Sequence, residues 1–196
     1  MVSVGVLLYF LLLGLFVRHA QSYANVSGLL DPREFGGSIT EHGQEQSRRA
    51  SIFIAGILAK SDLFDDIVIS SSPHKRCIET SLYIARKLDI NGIKLADELS
   101  VRGLGSAIGR DKNYRRQFQT YDCIPGSEKT QVFMGRILSI IETTGPPVVS
   151  VTHSGVISAI RYLHDKGIKK SDIDGLEDDC YRADYGKLPK VPKNFL

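Results

Sequence analysis

Arg18 and His19 stand side by side where an apolar run, Leu15-Phe16-Val17, gives way to small and polar residues, Ala20-Gln21-Ser22. Such a run reads as a buried strand that delivers its polar end to the edge of a sheet. Open α/β sheets place ligands there, beyond the carboxyl ends of their strands. Arginine offers a planar, permanently charged fork for phosphate oxygens, and histidine a nitrogen that is nucleophilic or proton-carrying near neutral pH. The pair suits phosphoryl chemistry. A lone Arg-His dipeptide at a strand end is more often simply solvated, so the weight of the reading falls on whether other segments repeat the pattern.

Two do. The apolar stretch Ile67-Val68-Ile69 ends in Ser70-Ser71-Ser72-Pro73 and is followed by a helix whose first turn carries His74, Lys75 and Arg76. Its β-branched core fits a buried parallel strand, and a helix N-terminus bearing an arginine at the same sheet edge is an anion-binding arrangement. The run Val148-Val149-Ser150-Val151 ends in Thr152-His153-Ser154-Gly155 before a helix predicted from Val156 to about Lys166. Arg-His, Ser-Pro-x-x-Arg and Thr-His-x-Gly at three strand ends point to one shared anion site.

The remaining segments position these three. Thr40 reads as the N-cap of a helix from Glu41 to about Leu58, on which His42 is a surface residue. Residues 26–38 hold Asp31-Pro32 and Gly36-Gly37 and read as a loop over the site. A short strand is expected at Ile93-Lys94-Leu95, a solvated helix or lid over residues 111–121, and a core-facing helix from about Lys129 to Thr143. The tail after Gly167, with its Asp and Lys clusters, reads as peripheral.

The chain has 196 residues, 42% of them hydrophobic, enough for one substantial core and one domain. Its net charge of +3 is spread along the sequence, with no basic run long enough to track a nucleic-acid backbone, so no nucleic-acid partner is implied. Cys77, Cys123 and Cys180 form no CxxC pair and have no histidine at metal-ligand spacing, which supports neither a disulfide framework nor a zinc site. Free thiols are the default, with a single bridge left open. Residues 1–17 carry no charge. They read either as an apolar extension that packs on or continues the first strand, or as a hydrophobic leader, although no basic segment and no small-x-small cleavage site precede Arg18. The domain division is therefore 1–14, leader or extension, and 15–196, a single catalytic domain. The location leans cytoplasmic, with secretion or membrane anchoring tied to a true leader.

These residues resemble the histidine phosphatase (phosphoglycerate mutase-like) superfamily. Arg18-His19-Ala20-Gln21-Ser22 with Asn25 is similar to its Arg-His-Gly-Glu-Ser-x-x-Asn motif, and Thr40-Glu41-His42-Gly43-Gln44-Glu45-Gln46 to its Leu-Thr-x-x-Gly-x-x-Gln helix start. Ser71-Ser72-Pro73-His74-Lys75-Arg76-Cys77-Ile78-Glu79-Thr80 resembles Ser-Ser-Pro-x-x-Arg-x-x-x-Thr, Pro125-Gly126-Ser127-Glu128 echoes a Gly-Glu-Ser segment, and Val151-Thr152-His153-Ser154-Gly155 is similar to the second-histidine motif. The resemblance runs from about Leu15 to Leu163.

The resemblance implies a three-layer α/β/α sandwich around a mostly parallel central sheet, phosphoglycerate mutase-like, with Arg18, His19, Arg76 and His153 converging on a phosphoryl group. His19 is then the nucleophile, Arg18, Arg76 and His153 bind the phosphoryl oxygens with Asn25 as a further phosphate contact, and neither metal nor other cofactor is required. The expected partner is a phosphorylated small molecule or phosphoprotein. Two departures stand out. Ala20 replaces a glycine, and Val101 stands where many members carry the glutamate general acid, with Glu98, three residues earlier, as the substitute if the loop is re-registered. The leading expectation is a phosphomonoesterase working through phosphohistidine. The alternatives are a catalytically weak phosphate-binding or interaction module and a phosphoglycerate mutase-type phosphotransferase.

Overall fold

The apolar strand runs are buried on both faces, and this determines how the chain stacks. A computed structural model describes residues 8–11, 14–30, 37–60, 67–143 and 148–185. Residues 1–7 of the predicted leader, residues 31–36 of the predicted loop and the end of the chain past residue 185 lie outside the described residues. Five strands form one sheet: β1 (Leu8–Leu11), β2 (Gly14–Arg18), β3 (Val68–Ser71), β4 (Lys94–Leu95) and β5 (Val148–Thr152). Their spatial order is β1-β2-β5-β3-β4. β1 runs antiparallel to β2 on the edge, and every other pair is parallel.

In β2, Leu15 and Val17 point to one face, where they meet Ile69, Val149 and Val151 and the helices α2 (Glu41–Leu58) and α3 (Lys75–Leu88). Phe16 points to the other, against α5 (Thr130–Thr143) and α6 (Ser154–Lys166). The period of two along the strand thus sends successive side chains into two separate cores and makes three α/β/α layers. Two of the long helices carry a terminating residue in their own sequence. Thr40 accepts the Gly43 N–H at the start of α2, and Gly167 takes the left-handed conformation that ends α6.

The expected helices lie close to their predicted bounds, and His42 is exposed as expected. Residues 111–121 hold only a short α4 (Lys112–Arg116) and the start of a 3-10 turn. The tail is a correction. Ile173 and Tyr181 belong to the core over α5 and α6, and Asp179 ties the tail to Arg102. Hydrophilic composition hid two buried anchors spaced too widely to make a periodic pattern. Among the described residues no helix is long and apolar enough to cross a membrane, and all three cysteines are free.

Candidate active site

Because β5 lies between β2 and β3, the three polar strand ends open side by side at one edge of the sheet. Arg18 is in register with Thr152; the His19 N–H donates to the Thr152 carbonyl, and the Ser72 N–H to that of Val151. His153 therefore stands between Arg18-His19 and the N-terminal turn of α3, where Arg76 lies. Arg18, His19, Arg76 and His153 line one cleft of about 330 Å³. His19, Arg76 and His153 are 8%, 5% and 3% exposed, which puts their charges and dipoles in a low-dielectric setting.

The loop carrying His19 is held from three sides. The Ala20 N–H donates to Thr80 Oγ1 at 3.1 Å, the Gln21 N–H to Gln46 Oε1 at 2.9 Å, and the Thr40 N–H to the Gln21 carbonyl. α2 approaches this loop so closely that a Cβ on Gly43 would meet the Gln21 carbonyl oxygen at 2.2 Å, so only glycine fits there. Thr40, Gly43, Gln46 and Thr80, which sequence reasoning left as pattern, are the residues that fix the loop carrying His19.

His19 Nδ1–H donates to the Ala20 carbonyl at 2.7 Å, which assigns the lone pair of the neutral ring to Nε2. Burial, then the charges of Arg76 and Arg18, holds its pKa well below the usual imidazole range. Burial, then His19 and Arg76, does the same for His153. Both rings are neutral at pH 7, the state in which imidazole is a nucleophile. Arg18 is pulled below the usual guanidinium range by burial and by Arg76. Its Nε is buried with no hydrogen-bond partner among the described residues, an arrangement that an anion in the cleft relieves.

The cleft walls add Lys112, Arg102, Tyr121, Tyr181 and Arg182, and no carboxylate lines it among the described residues. Arg102 is committed elsewhere. It reaches Asp122 at 2.9 Å, Asp179 at 2.6 Å and the Glu128 carbonyl at 2.8 Å. This buried knot closes the wall of the cleft formed by the tail, and sequence reasoning missed it because its partners lie 20, 26 and 77 residues away. Asn25 lines the cleft too, but its Oδ1 accepts the Ser22 N–H as half of the capping box that starts α1 (Tyr23–Ser27).

Glu98 is not brought to the cleft. It sits in a 3-10 turn (Asp97–Leu99) whose Leu99 is buried in the core, and its exposed side chain lines a separate groove with Lys94, Leu95 and Ser139. The anchor at Leu99 and the bond from Arg136 to the Glu98 carbonyl turn that carboxylate outward. Val101, two residues past the anchor, faces the cleft instead. Among the described residues no group of three or more His, Cys, Asp or Glu is arranged to hold a metal ion.

Comparison with known proteins agrees with this geometry. The chain is 29% identical over 163 residues to the 2,3-bisphosphoglycerate-dependent phosphoglycerate mutase of Thermoplasma acidophilum, covering 79% of this chain and 78% of the relative. Among solved structures, a mycobacterial glucosyl-3-phosphoglycerate phosphatase superposes with a TM-score of 0.56 at 17% identity, over 83% of each chain. A protein described as mycobacterial hydrolase 1 superposes at 0.60 and 19%, over 83% of this chain and 85% of that one. The sequence model of the histidine phosphatase superfamily (branch 1) matches residues 15–177, and the chain belongs to that superfamily.

Proposed function

We propose that the chain is a phosphomonoesterase that passes the phosphoryl group of a small phosphate ester, or of a phosphorylated side chain, first to His19 and then to water. One observation carries the reading. The His19 ring, fixed through Nδ1 by the Ala20 carbonyl, keeps a lone pair on Nε2 in a cleft whose nearest fixed charges are Arg18 and Arg76.

In the first step Nε2 attacks phosphorus, the bond from phosphorus to the ester oxygen breaks, and that oxygen leaves with a proton drawn from solvent or from a donor in the cleft. In the second step water adds to phosphorus, the N–P bond breaks, its electron pair returns to Nε2, and inorganic phosphate departs. Arg18 and Arg76, which already line the cleft, stabilise the charge spread over the equatorial oxygens. With no carboxylate among the described residues of its walls, such a cleft favours esters whose oxygen leaves readily.

A second reading, a phosphate-binding module of little activity, has Val101 in its favour. A third, phosphotransfer to an acceptor hydroxyl, has the mutase relative in its favour. Incubation with p-nitrophenyl phosphate, followed by a search for acid-labile phosphate on His19, separates the three. The phosphatase reading expects turnover and phosphohistidine, both abolished by His19→Ala with the fold intact. Binding without turnover supports the module, and discharge to an added alcohol in preference to water supports phosphotransfer. Retention of a substantial rate by a folded His19→Ala variant refutes the assigned role of His19.

A further inference from the structure

Against His153, outside the lining of the cleft, lies a second imidazole that the reaction as described does not use. His74 precedes the first turn of α3 and packs edge-on against His153, ring centroids 4.8 Å apart. The fully buried Ser72 hydroxyl sits between the two rings, 3.0 Å from His153 Nε2 and 3.0 Å from His74 Nδ1. His74 also borders a groove outside the cleft, with Lys75, Asp97 and Ser100.

A hydroxyl has one proton to donate. The oxygen could accept twice, but the buried Ser72 proton has no acceptor among the described residues other than these two ring nitrogens, so Ser72 donates to one and accepts from the other: one of the two nitrogens carries hydrogen and the other is bare. For neutral rings this couples the tautomers. If His153 holds its proton on Nε2, His74 Nδ1 is bare and the His74 proton is on Nε2. If His74 holds its proton on Nδ1, His153 Nε2 is bare and the His153 proton is on Nδ1. The cleft selects between them. His153 Nδ1 lies 3.3 Å from Arg76 Nη2, which can only donate, so here Nδ1 is bare and the Nε2–H form holds. Cys77 Sγ, 3.5 Å from the same Nε2, is a further weak acceptor for that N–H. A phosphoryl group that draws the Arg76 fork onto its own oxygens presents Nδ1 with an acceptor instead, and Nδ1 then needs the proton.

We propose that His74 is a positioning residue for His153: through the Ser72 hydroxyl it sets which nitrogen of His153 carries the proton, and an anionic phosphoryl group entering the cleft reverses the arrangement in both rings together. In the reversed arrangement His153 Nδ1–H is a donor to phosphoryl oxygen, supplied by a neutral ring. The consequence for turnover rests on the phosphatase reading, whereas the coupling of the two rings does not.

The test is long-range ¹⁵N–¹H spectroscopy of the histidine-labelled full chain, with and without saturating inorganic phosphate. The expected result is N–H on Nε2 of both rings without phosphate and on Nδ1 of both with it. In Ser72→Ala, His153 still responds to phosphate and His74 no longer does. Bound phosphate that leaves His153 unchanged, a wild-type His74 that does not follow His153, or a His74 response that survives Ser72→Ala overturns the proposal. Kinetics give a second readout that does not depend on Ser72→Ala folding. His74→Leu lowers kcat for p-nitrophenyl phosphate about tenfold with KM little changed, a loss set by analogy with the low end seen when the outer partner of a metal-bound histidine is removed. His74→Asn, whose amide stands near Nδ1 and can donate or accept, recovers most of the loss, and an equal loss in the two variants overturns the proposal. Coupled shifts without any phosphoenzyme refute the phosphatase reading alone, and turnover without coupled shifts refutes this one alone.

Discussion

Val101→Glu is the most direct test of a cleft whose described residues include no carboxylate. Val101 is half-buried and lines the cleft with Arg18, His19, Arg76 and His153. A fully buried valine contributes about 1.5 kcal/mol, so losing the partial burial of Val101 costs at most about 1.5 kcal/mol, and attraction to the arginines offsets part of it. The fold should survive. A positioned acid contributes about 10² to 10⁴ in rate when the leaving oxygen is a poor alkoxide, and almost nothing when it is a stabilised phenolate. Dropped into a site not built around it, the new carboxyl should reach the lower bound, about 10², or about 2.7 kcal/mol of transition-state stabilisation. The neighbouring guanidinium groups hold a carboxyl ionised, which opposes its use as an acid, so the gain should be larger at pH 5.5 than at pH 7.5. The assay is kcat/KM for an alkyl phosphate and for p-nitrophenyl phosphate, by release of inorganic phosphate. The wild type should prefer the aryl ester strongly, Val101→Glu should narrow the gap, and Glu98→Gln should change neither rate, because Glu98 lines a different groove. An unchanged alkyl-to-aryl ratio in Val101→Glu, with phosphate affinity retained, refutes the assignment of that position. A selective loss of alkyl turnover in Glu98→Gln refutes the reading of the Glu98 geometry.

Arg76→Lys keeps the charge but removes the planar fork, and should lower kcat/KM by at least about tenfold, or about 1.4 kcal/mol; an unchanged rate removes Arg76 from the site. Arg102→Ala leaves Asp122 and Asp179 beside an empty buried space and should cost about 3–5 kcal/mol of stability by urea unfolding, with a loss below 1 kcal/mol showing that the knot is not structural. Stability should also fall with acid well before the carboxylates protonate. His19 and His153 have folded-state pKa values below the unfolded value, chiefly through burial, so their contribution is complete above about pH 6.5 and is lost as pH falls through the folded values. Each ring should cost about 1.4 kcal/mol per pH unit below 6.5 until it protonates within the fold, and a flat urea midpoint between pH 6.5 and 5 contradicts the neutral assignment.

The part of this architecture legible in the sequence is the part written in short-range pattern. Leu15-Phe16-Val17 and Ile67-Val68-Ile69 announce strands by composition, and polar residues at their ends announce the edge, so Arg18, His19, Arg76 and His153 were nameable before any contact was known. Their convergence follows from parallel pairing alone, because neighbouring parallel strands end at the same edge. Glu98 shows where pattern stops. Whether a side chain in a short turn faces the cleft depends on which neighbour is anchored, and the anchoring of Leu99 among α5 and α6 is a packing fact with no local signature. The tail misled for the same reason, since two buried residues within a charged stretch do not make a period.

The least legible feature is the one that decides what the site can do. Arg102 lies in the cleft wall as surely as Arg76 does, and by residue type the two are equivalent phosphate ligands. The difference lies in long-range partners: Arg102 spends its donors on Asp122, Asp179 and the Glu128 carbonyl, whereas Arg76 reaches His153. Gly105 is part of the same construction. Its φ of +52° and a would-be Cβ only 2.2 Å from the Pro125 carbonyl let the loop after Arg102 press onto the 125–128 segment, which places the Glu128 carbonyl at Arg102. A motif can therefore say that an arginine stands next to the site, but whether its charge is available to a phosphate is settled by carboxylates brought in from elsewhere in the chain. Among the described residues, Arg102 is the cleft-wall arginine whose charge is neutralised from behind, by Asp122 and Asp179.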